Sequence, residues 1–144
     1  MMTDDTQECK CVIDCSGLHE LVNTRSNNLK KPLIDALASG EIGVPAVVWK
    51  EFKELYEDEA EELEPSVVYK IPMKKQYRVG AARIADRLNS GFSRGPYDGE
   101  TDLYTAAIAS LNEYPLITSA SQAPYYDGMG CEVIDLAGWA DQFG

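Results

Sequence analysis

Cys9-Lys10-Cys11-Val12-Ile13-Asp14-Cys15-Ser16 is the stretch that decides how this chain folds. Small and β-branched residues from Cys9 to Ile13 predict a short buried strand, and Asp14 stands where it ends. Two further acids occupy comparable places. Glu51 follows the apolar run Val44-Pro45-Ala46-Val47-Val48-Trp49-Lys50, and Asp102 opens Leu103-Tyr104-Thr105-Ala106-Ala107-Ile108-Ala109. A fold can gather carboxylates at the ends of buried elements into one pocket. Such a cluster is costly unless a cation shares it, so it implies a hard divalent ion, Mg or Mn.

Outward from that strand, the apolar periodicity changes repeatedly between strand and helix. A helix is predicted from Ser16 to Val22 with Ser16 as its cap, and another from Leu29 to Ala38, stopped by Gly40. Ile42 to Val48 is apolar and β-rich, with Pro45 inside it. Phe52, Leu55, Tyr56, Ala60 and Leu63 share a face of a helix from Glu51 to Leu63, whose outer side is acidic. Val67 to Ile71 predicts a minor strand, Gln76 to Leu88 a helix, and Asn89 to Gly99 a loop. Glu100 to Leu111 is an Ala-rich buried helix, with Asp98 as its cap. Leu116-Ile117-Thr118 is a further strand, Ala120 to Gly130 a loop or broken helix, and Cys131 to Leu136 a last strand. A short helix with Trp139 and Phe143 ends the chain.

Strands alternating with helices imply a three-layer α/β/α fold with a mainly parallel central sheet. The site of such a sheet lies beyond the carboxyl ends of its strands, where Asp14 and Thr118 fall. The 144 residues suit one domain, 1–144, with residues 1–8 expected to be flexible. No run approaches the roughly 20 apolar residues of a membrane span, and the acidic N-terminus is no secretory signal. The expected location is cytoplasmic, without a membrane. There Cys9, Cys11, Cys15 and Cys131 are expected to be thiols, and Cys9-Lys10-Cys11 lacks the second pair that a zinc site needs. His19, the only histidine, is expected on a helix surface.

The formal net charge of −11 argues against extended nonspecific nucleic-acid binding. The charge is uneven, however. Lys70 to Arg94 holds seven basic residues and one acid, so that window is +6 and the rest of the chain −17. Lys74, Lys75, Arg78 and Arg94 in this window are candidate contacts to a phosphate backbone.

Taken in order, these motifs resemble the PIN-domain nucleases, including the toxin ribonucleases of toxin–antitoxin pairs. Val12-Ile13-Asp14-Cys15-Ser16 is similar to the family's first-strand motif. Val44 to Phe52 resembles its second strand and acid, and Gly99 to Ala109 its third acid and Ala-rich helix. Leu116-Ile117-Thr118-Ser119 resembles its fourth strand. The resemblance implies a metal-dependent endoribonuclease with Asp14, Glu51 and Asp102 as catalytic and Mg- or Mn-binding residues. Ser16, Thr118 and Glu100 would support them from behind. It also implies RNA as substrate, a cognate antitoxin as partner and a homodimer. One departure stands out: the family commonly has an acid two residues past the threonine, and here that place is Ala120. Asp127 could supply a late carboxylate in its stead. The alternative implied is a catalytically degenerate module that binds RNA or protein. A haloacid-dehalogenase-type phosphatase also begins with an acid after its first strand, but wants a second acid where Ser16 stands.

Overall fold

The computed structural model describes residues 9–88 and 99–143. The expected flexible N-terminus, most of the expected loop before Gly99, Asp98 and Arg94 lie outside those residues. Among the described residues, five strands form one parallel sheet: β1 (Cys11–Ile13), β2 (Ile42–Pro45), β3 (Lys70–Ile71), β4 (Leu116–Ile117) and β5 (Val133–Ile134). Their order is β3-β2-β1-β4-β5, so β1 lies at the centre and the chain winds outward in both directions. Val12 pairs with Gly43 on one side and Leu116 on the other.

The sheet divides the core by the alternation that strands impose. Cys11, Ile13, Val44 and Ile117 point to one side, where they pack with α1 (Cys15–Asn23), α2 (Asn27–Ser39), α3 (Ala46–Leu55), α4 (Glu57–Leu63) and α7 (Leu136–Phe143). Val12, Ile71 and Leu116 point to the other, against α5 (Lys75–Leu88) and α6 (Gly99–Asn112). This is the expected three-layer arrangement. Gly40 ends α2 in the left-handed conformation, with φ 86°. Trp139 of α7 is core. No helix among the described residues is long and apolar enough to cross a membrane.

Three local expectations are corrected. First, α1 begins at Cys15 and its cap is Asp14, not Ser16: Asp14 Oδ1 accepts from Gly17 N at 2.8 Å. The strand stops at Ile13, so the next side chain with an acceptor takes the cap position. Second, Val47-Val48 is helical rather than strand, and Trp49-Lys50 continue the same helix. Pro45, with φ −56°, closes β2 and turns the chain directly into α3. Buried Val48, Trp49 and Phe52 then sit at helical spacing, which a short apolar run does not distinguish from a strand. Glu51 therefore lies in the second turn of a helix. Third, the helix expected from Glu51 to Leu63 is two helices, broken at Tyr56 (φ −137°, ψ 68°). The Tyr56 ring stacks on His19 at 4.1 Å, and His19 Nδ1 lies 2.8 Å from Glu59 Oε1, which ties α1 to α4.

Candidate active site

Asp14 is placed by the end of β1 and fixed by everything around it. It is 2% exposed. Its Oδ1 accepts from Ser16 Oγ at 2.9 Å and Gly17 N at 2.8 Å; its Oδ2 accepts from Thr118 Oγ1 and Tyr126 Oη, both at 2.7 Å. All four donors are neutral. Burial pushes the Asp14 carboxyl above the usual carboxylate range, against the opposing pull of the bonds from Thr118, Gly17, Tyr126 and Ser16.

Asp102, 3% exposed, reaches the same place from the first turn of α6. Tyr126 Oη lies 3.2 Å from Asp102 Oδ1, and Gln122 Nε2 donates to Oδ2 at 3.1 Å. One phenol thus touches both aspartates. Its single proton cannot serve two carboxylates fully. Burial, and then the charges of Asp14 and Asp102, raise the Tyr126 phenol well above its ordinary range.

Glu51 approaches from the α3 side. It borders a cleft with Val47, Lys50, Glu54, Glu100 and Tyr104, while its Oε1 is shut off from water. Its charge is felt at Cys15, whose thiol is pushed up by burial first and then by Glu51, Asp14 and Asp102. Glu100 is exposed on the rim of that cleft and of a neighbouring one that holds Arg78. Lys74 and Lys75 are exposed at the start of α5. Ala120 and Asp127 are also exposed, on the segment that carries Gln122 and Tyr126.

The structure therefore brings Asp14, Asp102, Ser16 and Thr118 together and sets Glu51 to one side. Among the described residues, no three histidines, cysteines, aspartates or glutamates are grouped closely enough to hold an ion. The chemistry of the centre still suits a hard cation. Two buried carboxylates and two hydroxyls, all oxygen donors, come together there. Gln122 and Tyr126 are site residues that the sequence does not signal. They lie in a Gly- and Pro-containing stretch, and only the 3-10 turn Ala123–Tyr126 turns Tyr126 inward while leaving Tyr125 out.

No protein-family model and no curated relative matches the sequence. Solved structures do match in fold. FitAcB from Neisseria gonorrhoeae aligns over 88% of this chain and 98% of its own, with a TM-score of 0.64 at 16% identity. PAE2754 from Pyrobaculum aerophilum aligns over 93% and 96%, with a TM-score of 0.61 at 13% identity. VapBC-5 from Mycobacterium tuberculosis, a member of the VapBC family of toxin–antitoxin systems, aligns over 87% and 95%, with a TM-score of 0.53 at 19% identity. The chain has the PIN-domain fold. Within a PIN-domain fold of this topology, Asp14 and Thr118 stand at the carboxyl ends of adjacent strands β1 and β4, and Asp102 rises beside them on α6.

Proposed function

We propose that this protein is a metal-dependent endoribonuclease and the toxin of a toxin–antitoxin pair, acting in the cytoplasm. One observation carries the reading: Asp14 and Asp102, remote in sequence and both buried, converge on a single hydroxyl. Burying two carboxylates side by side costs stability unless the arrangement serves a cation or a proton. The motif order and the PIN-domain fold support the nuclease class, and the VapBC neighbour supports the toxin–antitoxin setting.

In this reading Asp14 and Asp102 hold Mg or Mn, with Glu51 joining from the cleft side. A bound divalent ion would activate water and stabilise the leaving oxygen of a phosphodiester. Ser16 and Thr118 orient Asp14 through the bonds from their hydroxyls. Glu100 edges the entrance. Lys74, Lys75 and Arg78, and Arg94 beyond the described residues, position the RNA backbone. An antitoxin and a second copy of the chain are the partners of this reading.

The test is cleavage of an RNA panel in Mn²⁺ or Mg²⁺, together with Mn²⁺ binding. Wild type should cut and Asp14→Asn should not. A wild-type protein that cuts no RNA and binds no divalent ion overturns the proposal. A second reading, a non-cleaving RNA- or protein-binding module, is favoured by Ala120 at the fourth acidic position.

A further inference from the structure

A carboxylate has about four lone-pair sites, and those of Asp14 are all taken. Ser16, Gly17, Thr118 and Tyr126 each donate to it, and Gln122 and Tyr126 engage both oxygens of Asp102. A cation that binds Asp14 must therefore displace a donor. Gly17 and Ser16 belong to the first turn of α1, and Thr118 follows β4 directly. Ser16 and Gly17 are thus held by a helix, and Thr118 by the sheet through the bond from its N to Ile134 O at 3.0 Å. Gln122 lies outside any helix or strand, and Tyr126 ends a single 3-10 turn.

Both lie on the segment 119–130, whose only regular piece is the 3-10 turn Ala123–Tyr126. Gly128 and Gly130, with φ 82° and 80°, bracket its far end. Ala120, Ser121, Pro124, Tyr125, Asp127, Gly128 and Gly130 are exposed. Gln122, Tyr126 and Met129 are its buried side chains, and the first two of these point their donors at the acids. The segment thus touches the carboxylate pair through neutral groups where a cation would bring charge.

Resting on the nuclease reading above, we propose that Gln122 and Tyr126 form a built-in competitor for the metal. Their amide and phenol satisfy Asp14 and Asp102 in the metal-free protein, and the 119–130 segment withdraws when a divalent ion binds. A phenol proton and a cation carry the same sign and seek the same oxygens, so the two states exclude each other. Metal affinity is then set by how strongly this segment holds, and Tyr126 is its principal positioning residue.

The experiment is Mn²⁺ titration of wild type, Tyr126→Phe and Gln122→Ala, with free Mn²⁺ read by electron paramagnetic resonance. Removing a hydrogen bond to a charged group that binding must break anyway should tighten Mn²⁺ about tenfold in Tyr126→Phe. Gln122→Ala tests the same claim from the Asp102 side, should the tyrosine variant fail to fold. Hydrogen exchange adds a readout in wild type: Mn²⁺ should deprotect amides of 119–130, among them Gln122 and Ala123, which bond back to Ser119. Binding by wild type with equal or weaker affinity in both variants overturns the competitor and leaves the metal site standing. Absence of Mn²⁺ binding in wild type and in both variants overturns the metal site itself, and the competitor with it.

Discussion

Ser16 Oγ and Thr118 Oγ1 stand 2.8 Å apart, joining the first turn of α1 to the end of β4. Each also donates to a different oxygen of Asp14, and Ser16 accepts from Ser119 N at 3.1 Å. The aspartate is therefore held in a closed ring of short polar contacts within the core. Two elements distant in sequence are fixed to each other through the group they both position.

Thr118→Val keeps the shape of that ring and removes one hydroxyl from it. Thr118 is fully buried, so no water replaces the missing bond. The expected cost is about 1–3 kcal/mol of metal-free stability. Urea unfolding in a chelator measures it, and a loss below about 0.5 kcal/mol, the size of an ordinary surface substitution, would show that the ring contributes little.

Asp14→Asn should behave differently. Asparagine caps a helix about as well as aspartate, and the Thr118 and Tyr126 hydroxyls can turn to accept from its amide. The folded-state carboxyl of Asp14 is raised, so the folded protein binds its proton more tightly than the unfolded chain does. That contribution is present at low pH and is lost as pH rises through the raised folded value. Wild type should therefore weaken relative to Asp14→Asn as pH rises from the ordinary carboxylate range toward pH 8. Thermal melts without metal across that range check the sign, and a widening advantage for wild type at pH 8 would refute it.

Much of the fold and part of the site are legible in the residues alone, for identifiable reasons. Asp14 and Asp102 can be read because each borders an apolar segment that the fold must bury. The alternation of strand and helix follows from the change of period along the chain. Glu51 reads as the start of a helix because Val47-Val48-Trp49 looks the same in a buried strand and a buried helix. Only the geometry at Pro45 separates the two. Tyr126 carries no signal, because one residue's rotation in a 3-10 turn decides which of two adjacent tyrosines reaches the acids.

Gly17→Ala probes how closely α1 approaches the sheet. A Cβ there would lie 2.7 Å from Ile13 Cγ1 and 2.9 Å from the backbone oxygen of Ile117. The oxygen belongs to β4 and cannot step aside, so the helix must lift and strain the bond from Gly17 N to Asp14. A loss of about 1–3 kcal/mol is expected, comparable to overpacking a core. Denaturant unfolding measures it, and wild-type stability in this variant would mean that the helix sits less tightly on the sheet than these distances require.

The basic residues at the start of α5 should act on RNA through charge alone. Neutralising Lys74, Lys75 or Arg78 is expected to weaken binding similarly for every sequence and to lower the salt slope by about 1 for each phosphate no longer neutralised. Filter binding of two unrelated RNAs over a salt series checks this. A variant that discriminates between the RNAs would instead indicate a base contact.

Glu51 poses the sharpest question about ligand number. Its charge is close enough to raise the Cys15 thiol and its Oε1 is shut off from water, yet the residue as a whole is half-buried beside a cleft, while Asp14 and Asp102 are fully buried. A half-buried carboxylate is screened by water more than a fully buried one and interacts more weakly with a cation. Glu51→Gln should therefore weaken Mn²⁺ binding by less than Asp14→Asn does. Titration of both variants under one buffer decides it. If Glu51→Gln abolishes binding as completely as Asp14→Asn, Glu51 is a full ligand, and α3 must move toward α6 around the bound ion.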